Sequence, residues 1–302
     1  MKRVVSVSLG SSSRDKVVEA TVMGEQFRME RVGTDGDLPR AIDLISSLSL
    51  NVDCIGLGGI DRYLVSHGKR YELREAAAMV KAAGSTPVVD GSGFKLWIEP
   101  YLLRSLAETG ALSFEGKKVL LMSAVDRAGM AEEFPRLGAK TIYGDLIFGL
   151  KLPIALTSLR QLHFVAALLL PIMRRAPISW LYPTGSKQEA TSQYGQKYFE
   201  WADIIAGDFH FIRRHLPSQL PGRTIITNTT TEADVALLTK AGISALVTTT
   251  PVTEGRSFGT NVWESILVVT SGKRPEELTQ EDYIRFLEGI AWKPDVRTLQ
   301  PD

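Results

Sequence analysis

From Lys118 onward, short apolar runs of strand length alternate with segments that carry apolar residues at helical spacing. This alternation constrains the fold more than any single motif, because six strands separated by five helices make a complete doubly wound parallel sheet. The strand candidates lie at residues 119–122, 141–144, 179–182, 203–206, 224–227 and 245–248. We therefore predict an α/β chain whose larger part is a doubly wound parallel, Rossmann-like sheet followed by C-terminal helices.

The residues before this region predict a smaller α/β domain. Three strand-like runs between residues 3 and 32, separated by turn sequences, predict a meander. Glycines at both ends of segment 110–116 indicate a domain boundary. We predict an N-terminal α/β substrate domain at 1–112, a Rossmann-like nucleotide-binding domain at 113–270 and a C-terminal helical segment at 271–302. The carboxyl ends of the strands in both domains should open onto a cleft between them.

The charges of the chain favour no macromolecular partner. Thirty-five basic and 34 acidic residues leave a net charge of +1, which indicates neither nucleic acid nor an anionic membrane as a partner. Residues 154–173 are apolar, but Arg160, His163 and Pro171 interrupt them, so we predict a buried helix and no membrane span. The four histidines lack the spacing of metal ligands, so we predict no metal site.

The one cysteine of the chain, Cys54, excludes an intrachain disulfide and indicates a reducing compartment. The first residues enter a strand pattern without the long apolar region of a signal peptide. We therefore predict a cytoplasmic protein whose partner is a small-molecule substrate. Association into a homo-oligomer stays open.

The turn at residues 123–129 is the first candidate site, because it lies at the carboxyl end of a strand, where open α/β sheets bind ligands. It lacks the G-x-G-x-x-G fingerprint of dinucleotide folds. An acid about 20 residues further on would accept hydrogen bonds from the ribose hydroxyls of NAD and repel the 2′-phosphate of NADP. The cofactor-binding candidates in this region are Ser123, Asp126, Arg127, Gly129 and Asp145.

The second candidate site is the sequence Asp90-Gly91-Ser92-Gly93-Phe94-Lys95, which follows a predicted strand at 86–89. Its glycines let the backbone pass close to a ligand, and it offers one acid and one amine together. We predict Lys95 as the main proton-transfer or substrate-orienting group, with Asp90 as a nearby acid. Gly91, Ser92 and the loop residue Asp61 are the substrate-binding candidates beside them.

A third candidate site is the loop at residues 248–260, which is rich in hydroxyls and glycine. Thr248 and Thr249 end the last predicted strand and are further cofactor-binding candidates. Arg256 and Ser257 are further substrate-binding candidates, because they lie shortly before a predicted helix whose N-terminus would favour a carboxylate or phosphate. The sequence Asn261-x-x-Glu264 predicts a capping box at the start of that helix.

The order of the two predicted domains, together with VVDGSGFK at residues 88–95, resembles the quinate or shikimate-type dehydrogenases. The resemblance implies an NAD(P)-dependent oxidoreductase that acts on a small polar hydroxylated acid. It also implies that Lys95 and an acid relay a proton to and from a secondary alcohol while NAD or NADP takes the hydride. Asp145 favours NAD as the cofactor.

Two other functions stay open at this stage. The run from Ser8 to Ser13, SLGSSS, between two predicted strands, is similar to the phosphate-binding hairpin of sugar-kinase or actin-like ATP enzymes. The absence of the glycine fingerprint favours a non-catalytic Rossmann-like protein that binds a ligand without transforming it.

Overall fold

The computed structural model describes residues 1–177, 192, 194–250, 252–253 and 256–299. Its strands are β1 (Lys2–Ser8), β2 (Lys16–Val22), β3 (Glu25–Gly33), β4 (Cys54–Gly58), β5 (Tyr63–Ser66), β6 (Lys69–Glu72), β7 (Val88–Val89), β8 (Lys118–Leu121), β9 (Lys140–Tyr143), β10 (Ile204–Ala206), β11 (Thr224–Thr227), β12 (Ala245–Thr248), β13 (Val252–Thr253), β14 (Arg256–Ser257) and β15 (Asp295–Thr298). Its α-helices are α1 (Leu38–Leu48), α2 (Arg74–Ala82), α3 (Glu99–Glu108), α4 (Ala128–Arg136), α5 (Leu159–Met173), α6 (Gln196–Trp201), α7 (Phe209–His215), α8 (Glu232–Lys240), α9 (Thr260–Ser271) and α10 (Gln280–Gly289).

The first sheet has the strand order β2-β3-β1-β4-β7. β1 pairs in parallel with β3 and β4, whereas β2 pairs antiparallel with β3. Residues 4–8 of β1 are buried on both faces, as in a central strand, whereas burial alternates along most of β2, as at a sheet edge. The predicted meander is therefore wrong, because β3 lies between the first two strands of the chain.

The connection from β1 to β2 passes over the carboxyl end of β3. Gly33 permits this crossing, because a Cβ atom there would lie 2.7 Å from backbone atoms of Ser11 and Ser12. The run from Ser8 to Ser13 is thus a crossover loop and not the turn of a hairpin. The similarity to sugar-kinase or actin-like ATP enzymes depended on a hairpin at these residues, and the structure has no hairpin turn there.

The second sheet has the order β15-β12-β11-β10-β8-β9, in which β15 pairs antiparallel with β12 and the other five strands are parallel to one another. Five of the predicted strands correspond to β8 to β12. The predicted strand at 179–182 lies outside the described residues, and the sheet's sixth strand, β15, comes from the end of the chain. The prediction of a two-domain, Rossmann-like α/β fold is confirmed.

The helices after β14 return to the first sheet. Val262 and Ile266 of α9 and Phe286 of α10 form one core with Val4 and Met29 of that sheet. On the other face, α1 and α2 pack through Ile45, Ala76 and Met79, among others. The chain therefore crosses between its two halves more than once, and the predicted boundaries at residues 112 and 270 stay predictions.

The apolar segment near residue 160 forms α5, which buries only one face. Leu162, Ala166 and Leu170 are buried, whereas Phe164 and Ile172 are more than half exposed. Among the described residues, the helices are too short or too polar to cross a membrane.

Candidate ligand-binding cleft

A cleft of about 600 Å³ lies between the carboxyl ends of the two sheets. The chain order reverses between β1 and β4 in the first sheet and between β8 and β10 in the second, and such switch points leave a crevice beyond the strand ends. Ser8 and Gly58 line the cleft at the first switch point, and Ser123 and Asp208 at the second. Asp90 and Ser123, from different halves of the chain, line the same cleft, as the sequence predicts.

Lys95 lies at the floor of this cleft and is 8% exposed. Its Nζ donates short hydrogen bonds to the carboxylates of Asp61 and Asp126. Asp61 follows β4 and Asp126 follows β8, so the ammonium group joins a strand end of the first sheet to one of the second. We name Asp61, Lys95 and Asp126 the floor triad.

Asp90, the acid predicted to accompany Lys95, instead closes its own turn. Its carboxylate accepts hydrogen bonds from Arg62 N at 2.5 Å, Ser92 N at 3.0 Å and Ser92 Oγ at 2.6 Å. Local side-chain to backbone bonds of this kind are typical of aspartate before glycine. The acids that bind Lys95 are therefore two that the sequence singled out for other roles.

The three groups of the floor triad shift one another's pKa values. Burial lowers the pKa of Lys95, but Asp126 and Asp61 outweigh this effect and raise it above its ordinary value. Burial, and then the charge of Asp126, raise the pKa of Asp61 well above its usual range. Burial acts in the same direction on Asp126, yet Lys95 and Arg127 lower its pKa. The arrangement favours a charged ammonium at Lys95 beside a carboxylate at Asp126, and it opposes the ionisation of Asp61.

Arg127 lies behind the floor triad and is fully buried. Its guanidinium contacts Glu99 closely, Asp126 Oδ2 at 3.2 Å and Asp208 Oδ2 at 3.6 Å. Burial raises the pKa of Glu99 to about 7, although Arg127 and Lys95 oppose it. Thr249 Oγ1 donates to the same Glu99 at 3.3 Å. Arg127 and Thr249, singled out as cofactor-binding candidates, thus belong to a buried network below the cleft.

Two further cofactor-binding candidates, Asp145 and Gly129, also have internal contacts, and a third, Thr248, is buried. The carboxylate of Asp145 accepts hydrogen bonds from Ala124 N and Val125 N at 3.0 Å, so it closes the turn after β8. Burial raises the pKa of Asp145 to about 6. A Cβ atom at Gly129 would lie 2.5 Å from the carbonyl oxygen of Lys95, so this glycine lets α4 pack against the lysine's backbone. Thr248 is buried at the end of β12.

The anion-binding candidates Arg256 and Ser257 form β14, which pairs with β13. Their side chains lie outside the described part of the chain. Their role, the other site assignments, the preference for NAD over NADP and the cytoplasmic location all stay predictions.

The sequence predicts that Glu264 caps a helix, but in the structure its carboxylate makes central contacts in the site. The helix α9 begins at Thr260 after Gly259, so the predicted capping box at Asn261 is wrong. The carboxylate of Glu264 accepts hydrogen bonds from Gly91 N at 2.6 Å and Gly93 N at 3.0 Å, and a short one from Tyr283 OH. Two helices from the end of the chain thereby hold the turn that carries Lys95. The only sequence signal was an acid within an apolar helix.

Gly93→Ala is expected to lower the free energy of unfolding by roughly 1–3 kcal/mol, the usual cost of overpacking. A Cβ atom at residue 93 would overlap the Tyr283 hydroxyl and the Glu264 carboxylate. Gly149→Ala is the matched control, because a Cβ atom there meets nothing within 4 Å and the backbone is not left-handed. Urea denaturation of both variants tests this, and equal midpoints would contradict the packing described here.

The fold and this cleft define a two-domain, Rossmann-like α/β protein. The chain belongs to the family described as Domain of unknown function (DUF8754), whose family model matches residues 93–299. Residues 3–90 match the family model Domain of unknown function (DUF8753). A search of curated proteins finds no match.

Solved structures resemble the fold only distantly. A Mycobacterium smegmatis protein in complex with β-D-fucofuranose shares 10% identity, covers 99% of both chains and has a TM-score of 0.36. A periplasmic ribose ABC transporter protein from Conexibacter woesei shares 12%, covers 96% of both chains and has a TM-score of 0.40. A glutamate dehydrogenase shares 12%, covers 96% of this chain and 71% of its own, and has a TM-score of 0.44. Similarities this weak carry no argument about function.

These comparisons correct the resemblance to quinate or shikimate-type dehydrogenases. The family models that match residues 3–90 and 93–299 are domains of unknown function, not quinate or shikimate-type dehydrogenases. The interpretation as an NAD(P)-dependent oxidoreductase of a quinate or shikimate-type acid is therefore wrong. The resemblance depended on domain order and one lysine, which unrelated Rossmann-like proteins can share.

Proposed function

We propose that this protein is a non-catalytic binding protein whose cleft holds a small polyhydroxylated ligand. The observation that carries the proposal is the floor triad, in which one ammonium and two carboxyl groups are held in place at the bottom of the cleft. Hydroxyl groups both donate and accept hydrogen bonds, so a ligand with several of them matches a floor that offers both.

The floor triad retains hydrogen-bonding capacity for a ligand. An ammonium group has three donors, and among the described residues Lys95 uses two of them on Asp61 and Asp126. A carboxylate accepts about four hydrogen bonds, and Asp126 is already bonded to Lys95, Arg127 and Asp61, so about one position is left for a ligand hydroxyl. Because the charges of Lys95 and Asp126 compensate each other, the floor suits a ligand whose bound part is neutral.

The rest of the cleft supports a ligand of this size and kind. Its volume of about 600 Å³ lies within the range of small-molecule pockets. Phe211 and Phe258 add apolar surface to a lining rich in hydroxyl and amide groups. Because ion pairs and backbone contacts already hold the polar side chains, a ligand loses little affinity to their ordering.

The electrostatics of Lys95 favour binding over acid–base catalysis. A lysine that acts as a base near neutral pH needs a lowered pKa, but Asp126 and Asp61 raise the pKa of Lys95. The ammonium therefore orients a ligand and does not remove a proton from it.

Free pentoses, hexoses and polyols are expected to raise the melting temperature of the wild-type protein. A ligand at 100 times its dissociation constant stabilises the folded state by about 2.7 kcal/mol. Asp126→Asn keeps the shape of the side chain and removes its charge, so it should reduce this stabilisation. Arg136→Gln, whose side chain is 65% exposed, is the control outside the cleft.

Isothermal titration gives the affinity of each sugar, and NMR of the recovered ligand tests whether it is chemically unchanged. No melting shift with any of these compounds, or with derivatives that keep their hydroxyl groups, would refute the proposed ligand class. Conversion of the ligand by the purified protein would refute the non-catalytic role.

A further inference from the structure

Three cationic side chains line one wall of the cleft, above the first sheet. Arg14 and Lys16 flank Asp15 at the end of the loop that crosses β3, and Arg31 projects from β3 itself. Ser8 and Ser13 line the same wall. We name these five residues the basic wall. It includes both ends of the Ser8 to Ser13 run that the sequence singled out.

Arg31 is held rigidly in this wall. Its Nη1 donates to Asp15 Oδ1 at 2.9 Å and to the carbonyl oxygen of Ser11 at 3.0 Å, and its Nη2 donates to Ser8 Oγ at 3.0 Å. Burial, and after it the charge of Arg14, lower the pKa of Arg31. Arg14 and Arg31 therefore bring two positive charges to the lining of the same cleft, where both would attract an anion.

Asp15 is anchored away from the cleft. Its Oδ1 accepts from Gly33 N at 2.6 Å as well as from Arg31, and the residue is not part of the cleft lining. The wall therefore presents the cations to the cleft and keeps this acid behind them.

Arg14 connects the basic wall to the second half of the chain. Its Nη1 lies 2.5 Å from Nε2 of His210, which belongs to the first turn of α7 and also lines the cleft. The guanidinium is thus positioned over the cavity and does not point to bulk solvent.

We propose that the polyhydroxylated ligand carries a phosphate monoester, which binds at the basic wall while the hydroxylated part contacts the floor triad. This inference rests on the proposed function. A phosphate has about two charges and three acceptor oxygens, which suit three cations and two hydroxyls better than the single charge and two oxygens of a carboxylate do. The ligand class is therefore a phosphorylated sugar or polyol.

The test compares matched probes by isothermal titration on the full-length protein. The probes are ribose with ribose 5-phosphate, glucose with glucose 6-phosphate, gluconate as the carboxylate, and inorganic phosphate. We expect each phosphorylated sugar to bind at least about tenfold more tightly than its parent, with a gain that falls as salt rises. Inorganic phosphate should raise the melting temperature, whereas sodium chloride at the same ionic strength should not.

The affinity for a phosphorylated sugar divided by the affinity for its parent sugar should fall about tenfold in Lys16→Gln and in Arg14→Gln. This is the effect expected for the loss of a charge-assisted contact to phosphate. Lys240→Gln removes an exposed charge at the end of α8, outside the cleft, and should preserve the ratio. A melting curve of each variant without ligand shows whether it is folded.

Each outcome has a separate meaning. Equal affinity for free and phosphorylated sugars, or a gain with gluconate alone, overturns the phosphate inference and preserves the proposed function. A ratio that the wall variants leave unchanged also overturns the inference. If no free or phosphorylated sugar binds, both proposals fail.

Discussion

Arg127→Met is expected to lower the free energy of unfolding by about 3–5 kcal/mol, the usual cost of removing one partner from a buried ion network. Arg127 is fully buried and contacts Glu99, Asp126 and Asp208. Methionine fills much of the volume but leaves three acids without their common cation. Urea denaturation at neutral pH measures the change.

Arg136→Met serves as the control for this prediction. Arg136 also pairs with glutamates, at 3.2 Å from Glu132, but its side chain is 65% exposed. Exposed ion pairs contribute at most about 1 kcal/mol. Equal losses for the two variants would mean that the buried network contributes no more than a surface pair.

The stability of the protein is expected to depend on pH through Glu264. Burial, and then the charge of Asp90, raise the pKa of Glu264 to about 7 from an ordinary 4.5, although Tyr283 and the N–H groups of Gly91 and Gly93 oppose the shift. A carboxyl group whose pKa is raised by folding contributes stability below its unfolded pKa, and that contribution is lost as pH rises through the folded pKa. The loss should extend from about pH 4.5 to above pH 7 and amount to roughly 3 kcal/mol.

Glu264→Gln isolates this contribution from those of other groups. Glu99, with a pKa raised to about 7 by burial, acts in the same direction, whereas burial lowers the pKa of His215 and so reduces stability at acid pH. The free energy of unfolding of the wild type minus that of the variant should therefore decrease as the pH rises from 5 to 8. A flat difference would show that Glu264 has an ordinary pKa, and a rising one would reverse the sign of the effect.

Several features of the fold can be predicted from local sequence patterns. The apolar runs that became β8 to β12, and the helical spacing between them, depend on neighbouring residues alone, so alternation was enough to predict a parallel α/β sheet. The position of strand ends follows from the same pattern, which is why Lys95 and Asp126 were both singled out and both line the cleft.

Other features depend on which strands become neighbours. The β1 to β2 crossover and the antiparallel addition of β15 join segments whose local sequences are equally compatible with a hairpin or a helical tail. The sequence pattern specifies that a strand exists but not its partner, because pairing is decided by burial across the whole sheet. The meander prediction was wrong for this reason.

In the candidate site, too, some features follow from the local sequence and others only from tertiary contacts. The sequence by itself determined the residue types and the strand ends that carry them, including Asp61, Lys95 and Asp126. Only the tertiary structure decided that Lys95 contacts those two acids and not Asp90, and that Glu264, more than 170 residues away, holds the turn at Gly91. Local rules act over a few residues, whereas the charge and proton state of a buried group depend on side chains that folding brings within about 4–6 Å from distant parts of the chain.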